Sequence, residues 1–272
     1  MQECIRTLKQ HLAQAWNGAL MKYEDYKDIY FKLKKPSDIE SVAKATGLDK
    51  ELLLVMYTQR TVRDATKRYH IIKGQIPQIL RKWRAGKTMV SIAHELNFPP
   101  ILLAMLVFQA DGMPRKIFWK YIRNPEKCPD QRIKKEILKI NAADIIYSPE
   151  GMEVQEKRGQ WGEKLLQEWL DIHGLKYRTE VELRGKYTKT PDALLAKPME
   201  LNGVMINWIE SKASFGDEVE LRKNVRKQLK PYTELFGNGA VVYWFGYIEG
   251  IEPPEGITLF GRELAEMNPI CK

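Results

Sequence analysis

The feature that most restricts how this chain can fold is a hairpin pattern in its second half. The Asn202-Gly203 dipeptide favours a tight two-residue turn, because both residues adopt positive φ more readily than others. The flanking residues are rich in apolar and β-branched types, and they predict strands over about 192–196 and 204–212. The chain must therefore contain a sheet that is built around this hairpin.

Charged side chains gather at one end of the hairpin. Side chains alternate along a strand, so Glu210 and Lys212 share a face, and the hairpin brings that face beside Asp192. Two carboxylates suit Mg²⁺ or Mn²⁺, which lowers the pKa of bound water and neutralises charge on a phosphodiester. A neighbouring lysine can orient the attacking water. The spacing alone also fits a surface hairpin with a solvated Glu/Lys pair.

The order of these residues, Asp192 followed by Glu210-x-Lys212, resembles that of the PD-(D/E)xK nuclease superfamily. Thr190-Pro191-Asp192, together with the stretch WIESKASFGDE over 208–218, resembles the TPD-motif family within that superfamily. The resemblance is strongest over about 159–247 and weak in the first half of the chain. It implies an α/β domain with a restriction-endonuclease-like core, in which helices flank a mixed sheet.

The resemblance also implies a metal-dependent DNA endonuclease, with selectivity for flaps, junctions or single-stranded regions left open. In this interpretation Asp192 and Glu210 bind Mg²⁺ or Mn²⁺, helped by the backbone carbonyl of Ser211. Glu163 would bind a second ion or position its water. Lys212 would orient the nucleophilic water and stabilise developing charge.

Two polar residues on a later helix complete the implied catalytic set. Gln228 and Tyr232 are four residues apart, so they share a helix face, and they resemble the Gln-x-x-x-Tyr motif of some superfamily members. Gln228 would hold Lys212 or a phosphate, and Tyr232 would support it. Pro231 lies inside the same helix and is expected to kink it, because proline removes a hydrogen bond.

Two other functions stay open. The chain would be a DNA-binding or protein-binding scaffold if its nuclease-like core had no significant cleavage activity. Clustered carboxylates count against a scaffold, because burying charges together is costly. RNA as the substrate ranks lower, since nothing in the chain resembles an RNA-recognition motif.

The first half of the chain contains a helical pattern that recurs after fifty residues. The two copies correspond at Ser41-Val42-Ala43 and Ser91-Ile92-Ala93, and at Gly47 and Asn97. Glycine and asparagine best tolerate the left-handed conformation of a turn. We therefore predict tandem helix-turn-helix units over about 36–70 and 86–110, the first opened by a capping box at Ser37-x-x-Glu40. A helical bundle in which the repeat serves only packing is the alternative.

Charge is divided unevenly between the two halves. Residues 1–150 carry 27 Lys and Arg against 16 Asp and Glu, a net charge of +11, whereas residues 151–272 carry 17 against 19, a net charge of −2. A basic half predicts a polyanion-binding module, here for DNA. The residues expected to contact DNA are Arg60, Arg63, Lys67, Arg68, Arg81, Arg84, Lys116 and Lys120. The apolar run over 101–108 predicts buried core or a surface for a protein partner.

The remaining expectations concern domain bounds and location. We place a helical DNA-binding region at 1–146 and the nuclease domain at 147–272. Further helices are expected over about 2–33, 131–141, 160–172 and 219–236, and further strands over about 176–183, 240–248 and 257–260. Three widely separated cysteines predict an intracellular protein, and the lack of a long apolar run predicts no membrane span. Four scattered histidines and no Cys-x-x-Cys pair argue against a zinc site. The oligomeric state is left open.

Overall fold

Helices make up most of the first half of the chain, and a mixed sheet lies in the second half. The computed structural model describes residues 20–271, so most of the helix predicted over 2–33 lies outside the described residues. The helices are α1 Tyr23–Lys32, α2 Asp38–Thr46, α3 Lys50–Arg84, α4 Met89–Leu96, α5 Pro100–Ala110, α6 Arg115–Arg123, α7 Gln131–Ala143, α8 Pro149–Ile172, α9 Glu180–Leu183, α10 Glu218–Asn224 and α11 Lys230–Phe236. The strands are β1 Leu20–Met21, β2 Tyr177–Thr179, β3 Ala193–Leu201, β4 Val204–Lys212, β5 Gly239–Tyr243, β6 Tyr247–Ile248, β7 Ile257–Phe260 and β8 Ile270–Cys271.

The described chain forms two compact units. One contains residues 20–56 and 158–271, and the other contains residues 57–157. This division differs from the predicted boundary at residue 147. The sequence around that boundary begins a helix, because the Ser148 hydroxyl caps the Gly151 N–H at 3.0 Å and Pro149 occupies the first turn. Helix α8 therefore starts eleven residues before the predicted residue 160 and runs from one unit into the other.

The main sheet has the strand order β2-β3-β4-β5-β7, and β8 pairs with β3. Strands β3 and β4 are antiparallel, whereas β4, β5 and β7 run parallel to one another. The predicted hairpin is confirmed, with φ of 48° at Asn202 and 79° at Gly203, and β4 has the predicted bounds. Strand β3 is longer than predicted, and its register shifts between Leu194 and Met199. Pro198 lies in that irregular segment, where a missing N–H is tolerated.

Two predicted strands are shorter in the structure. Strand β2 ends at Thr179, because Thr179 and Glu182 form a capping box that starts α9 within the predicted 176–183 strand. Strand β5 ends at Tyr243, and a turn at Gly246, with φ of 81°, separates it from β6. The edge strand predicted over 257–260 is confirmed as β7.

A helical crossover connects parallel strands β4 and β5, as such a pair requires. It comprises α10, a π-helical segment over Val225–Leu229, and α11. Pro231 lacks the N–H that a regular α-helix would use here, and the wider π turn accommodates the proline. Leu221, Leu229 and Tyr232 pack against Trp208 and Val241 of the sheet.

The core of the helical unit is built around α4 and α5. The two helices meet at 117°, and Asn97 between them has a φ of 45°, the left-handed conformation that the sequence predicts. Every residue of the 101–108 run except Leu102 is buried, which confirms the core interpretation of that run. Two buried carboxylates cap these helices: Glu136 accepts from Met89 N at 2.7 Å and Asp144 from Ile101 N at 3.0 Å.

Within residues 20–271, no single helix has the length and apolar composition of a membrane span. Helices α4 and α5 reach that length and apolar composition only when the two are taken together across the bend between them.

Helix α3 is longer than the helix predicted to end near His70. It runs for 35 residues and includes Pro77, so the first predicted helix-turn-helix unit ends inside a longer helix. Gly47 has a φ of 72° before this helix, as predicted.

The predicted capping box at Ser37 is wrong, because Ser37 makes no cap hydrogen bond and Asp38 instead accepts from Lys34 N and Lys35 N. In the predicted 2–33 helix, residues 20–21 form β1, which pairs with β6.

Candidate active site

The sheet brings Asp192, Glu210 and Lys212 together, as the hairpin pattern predicts. Ala193 pairs with Ile209 across the hairpin, so Asp192 and Glu210 follow at the next position of the two strands. The Asp192 N–H donates to Glu210 Oε2 at 3.3 Å, and the Ser211 N–H donates to Asp192 Oδ2 at 2.8 Å. Lys212 Nζ lies 2.5 Å from Glu210 Oε1. The alternative of a solvated surface pair is wrong, since Glu210 is only 2% exposed.

Burial controls the electrostatics of this group. It raises the pKa of Asp192 well above its ordinary value, and the neighbouring Glu210 charge raises this pKa further. It also raises the pKa of Glu210, although the Lys212 charge acts in the opposite direction. Burial would lower the pKa of Lys212, but the Glu210 and Asp192 charges outweigh this effect and raise it. The site thus holds excess negative charge, which a divalent cation would stabilise.

Helix α8 places Glu163 near this group. Gly162 packs so closely on the sheet that a Cβ there would lie 2.7 Å from the Trp244 ring and 3.1 Å from Ser211 Oγ. Glu163 follows it with an exposed side chain that has no ion pair within residues 20–271. The Glu163 charge contributes to the raised pKa of Asp192, so its carboxylate lies within electrostatic range of the pair.

The two helix residues of the predicted site differ in their surroundings. The Tyr232 hydroxyl donates to the Thr190 carbonyl at 2.8 Å, and it lies close enough to Glu210 to lower the pKa of that carboxyl. Burial strongly raises the pKa of Tyr232, which keeps this hydroxyl a donor. Gln228 is half-buried in the π segment, and its side chain makes no hydrogen bond to another described residue. Its side chain is therefore available to a substrate, whereas the predicted hydrogen bond from Gln228 to Lys212 is not formed.

The oxygen atoms at this site fit a hard cation such as Mg²⁺ or Mn²⁺. Asp192 and Glu210 each present a carboxylate, and Ser211 lies between Glu210 and Lys212 on the same strand. No group of three or more His, Cys, Asp or Glu residues close enough to hold a metal occurs among residues 20–271. Two carboxylates are typical for Mg²⁺, which keeps several waters and takes substrate oxygens as further ligands.

The structure adds supporting residues that strand periodicity did not indicate. Ser211 Oγ accepts from Trp244 Nε1 at 2.8 Å, which connects β4 to the end of β5. Beyond Lys212, buried Asp217 accepts from the Tyr26 hydroxyl at 2.5 Å and from Glu220 N at 2.8 Å. Asp217 and Phe215 lie in the family-like stretch over 208–218, and Phe215 stacks on Tyr26. The segment around α1 therefore holds the loop that follows the lysine.

The basic residues predicted to contact DNA have different environments. Arg68 donates to the Leu96 and Asn97 carbonyls, so it caps the end of α4 and is occupied within the fold. Arg84 pairs with Asp111 at 2.5 Å, and this arginine stays exposed. Four others are exposed and two, Arg60 and Arg63, are half-buried. The exposed residues are Lys67, Arg81, Lys116 and Lys120.

The raised pKa of Asp192 predicts an unusual effect on stability. A carboxyl with a raised pKa stabilises the fold below its unfolded-state pKa, and this contribution is lost as pH rises through the folded-state pKa. Without metal at pH 7, Asp192→Asn should therefore raise the free energy of unfolding, because asparagine places no charge beside Glu210. The gain should shrink as pH is lowered towards 4. Urea denaturation in EDTA measures it, with the exposed Asp28→Asn as control, and a loss of stability at every pH would contradict it.

The close contact at Gly162 predicts a second effect. Gly162→Ala should lower the free energy of unfolding by about 1–3 kcal/mol, because helix α8 must move away from Trp244 and Ser211. Gly159→Ala is a matched control in the same helix, since no atom lies within 4 Å of its added Cβ. That control should be neutral or slightly stabilising. Equal effects of the two substitutions in urea denaturation would show that the contact is not tight.

Comparison with known proteins finds similarity in the part of the chain that contains the candidate active site. Residues 129–262 match the family model described as "Protein of unknown function TPD sequence-motif". The chain is 34% identical over 172 residues to CDAN1-interacting nuclease 1 of Xenopus laevis, covering 60% of this chain and 57% of the relative. It is 32% identical over 176 residues to the Homo sapiens protein of that name, covering 62% and 63%. It is 36% identical to uncharacterized protein L539 of Acanthamoeba polyphaga mimivirus, covering 54% and 66%.

These matches span less than two thirds of the length of the animal relatives. No solved structure matches the chain significantly. The family match includes every residue of the candidate active site, from Glu163 on α8 to Tyr232 on α11. Residues 129–262 of this chain are therefore similar to the TPD sequence-motif family.

Proposed function

We propose that this chain is a metal-dependent nuclease that hydrolyses phosphodiester bonds in DNA, and that its sheet is a restriction-endonuclease-like core. The observation that supports this most is the group formed by the buried Glu210 and the half-buried Asp192 and Lys212 at the end of the hairpin. Burying two carboxylates beside each other is costly, and a site that binds a cation offsets that cost. Several animal relatives carry the word nuclease in their names, which agrees with this proposal.

The chain's own residues would have separate roles. Asp192 and Glu210, with the Ser211 carbonyl, would hold Mg²⁺ or Mn²⁺. When bound, the cation supplies charge neutralisation at the scissile phosphate and lowers the pKa of its water. Lys212 would orient the attacking water and donate to a phosphate oxygen as charge develops there. Glu163 would accept a hydrogen bond from a water at the exposed side of the site.

The helix residues would position these groups. Tyr232 donates to the Thr190 carbonyl and lies beside Glu210, and so it fixes the start of the hairpin relative to the helix. Gln228 would donate to a phosphate oxygen with an amide that has no other partner among the described residues.

The names of the animal relatives also record an interaction with CDAN1. We extend the proposal to a protein partner for this chain. The apolar run over 101–108 is not available to such a partner, because it lies in the core of the helical unit. A partner would need another surface.

A cleavage assay tests the proposed function. The protein is incubated with labelled single strands, duplexes, flaps and four-way junctions, each with Mg²⁺, Mn²⁺ or EDTA. Cleavage of at least one DNA with a divalent cation, and none in EDTA, is the expected result. A scaffold would cut none of them under any condition, and cleavage of an RNA strand alone would reassign the substrate.

A further inference from the structure

The outer face of the crossover helix after β4 carries an unusual concentration of positive charge. Its buried face includes apolar and aromatic side chains that pack on the sheet, together with Glu220 and Asn224. The basic residues of its exposed face are Arg222, Lys223, Arg226, Lys227 and Lys230. Arg222 pairs with Glu218 and Lys223 with Glu220, at 3.4 and 2.9 Å. The side chains of the other three have no hydrogen bond or ion pair with another residue in 20–271.

A second basic segment lies against the same helix. The loop between α9 and Asp192 exposes Lys186 and Lys189, which also have no ion pair among the described residues. Tyr187 of this loop packs edge-on against Phe236 at 5.0 Å between ring centroids. The loop then ends at Thr190, whose carbonyl accepts from Tyr232. We call Lys186, Lys189, Arg226, Lys227 and Lys230 the basic strip.

We propose that the basic strip binds backbone phosphates of the nucleic acid that flank the scissile bond. The inference rests on the proposed function and names a contact surface for it. The strip is attached to the site at two points, since its loop leads directly into Asp192 and its helix carries Gln228 and Tyr232. Unpaired lysine and arginine side chains of this kind are the groups that contact phosphates in protein–nucleic acid complexes.

Local charge gives the strip a physical role. Residues 151–272 have a net charge of −2, and the site itself holds the two carboxylates of Asp192 and Glu210, so this half as a whole would repel a polyanion. Positive side chains close to the site would offset that repulsion where the substrate must approach. Arg226 and Lys227 also lie in the π segment, a distortion that is frequent at functional sites. The uneven charge of the sequence predicts DNA contacts only among residues before 150. The basic strip adds phosphate contacts next to the candidate active site.

A binding measurement separates the strip from catalysis. Anisotropy of a fluorescein-labelled duplex is measured with the full chain in EDTA, over a range of KCl concentrations. Arg226→Ala/Lys227→Ala should lower the affinity by about tenfold and reduce the salt slope by about two, one for each lost phosphate contact. Lys176→Ala/Lys197→Ala is the charge-matched control, because both lysines are exposed and unpaired within the described chain and neither belongs to the strip.

The control should change the affinity by less than about twofold, since distant surface charges are screened. Melting temperatures of both variants verify the fold. The proposal is overturned if the strip variant loses no more affinity and no more salt slope than the control. The binding measurement in EDTA does not depend on cleavage. If the strip variant binds DNA weakly and the wild type cuts no DNA in the cleavage assay with Mg²⁺ or Mn²⁺, the binding surface is supported and the nuclease function is rejected.

Discussion

Glu210→Gln is expected to reduce DNA cleavage by roughly two orders of magnitude or more, because it removes a charged ligand from the metal position. Glutamine has nearly the same shape, and its carbonyl oxygen can still accept from Lys212 or Asp192 N. The fold should therefore survive, and DNA binding in EDTA should be unchanged. Initial rates with Mn²⁺ and a labelled substrate measure the effect.

The exposed Glu255→Gln is the matched control for this substitution, and it should cleave at the wild-type rate. Asp192→Asn should resemble Glu210→Gln, since the two carboxylates share one site. Cleavage by either site variant at more than about a tenth of the wild-type rate would exclude these residues as metal ligands.

Leu103→Ala is expected to lower the free energy of unfolding by about 2–5 kcal/mol, because Leu103 is fully buried in the core around α4 and α5. The lost contacts and the cavity both contribute to that cost. Urea denaturation measures it. Leu138→Ala in α7 is the control, since its side chain is 47% exposed, and it should cost less than about 1 kcal/mol.

This result bears on the interpretation of the repeated helical pattern. If Leu103→Ala left stability unchanged but weakened DNA binding, α5 would be a recognition helix rather than core. The structure argues against a recognition role for α5, because the residues of this helix from Leu103 to Phe108 are all buried.

Local patterns predicted the parts of the structure that depend on short-range physics. Asn202-Gly203 fixed the turn, and strand alternation then placed Glu210 beside Lys212. Gly47 and Asn97 marked two helix ends, because only a few residue types adopt positive φ cheaply. The roles of Glu163 and Gln228 came from resemblance alone, and they stay predictions.

The missed features depend on contacts between distant segments. The need for Gly162 appears only when α8 lies against Trp244, which is 82 residues later in the chain. The bond from Tyr26 to Asp217 joins residues 191 apart. The start of α8 was missed for a different reason, since Ser148-Pro149 fits both a linker and a helix N-terminus until Ser148 is seen to cap Gly151.

Calorimetric titration of the protein with Mn²⁺ tests the central claim most directly, because it needs no assumption about the substrate. The expected result is saturable binding by the wild type that is lost in the Asp192→Asn/Glu210→Gln double variant. Binding should also weaken as pH falls, since protons compete for carboxyls with raised pKa values. A wild type that shows no heat, or a double variant that binds Mn²⁺ equally tightly, would contradict the account.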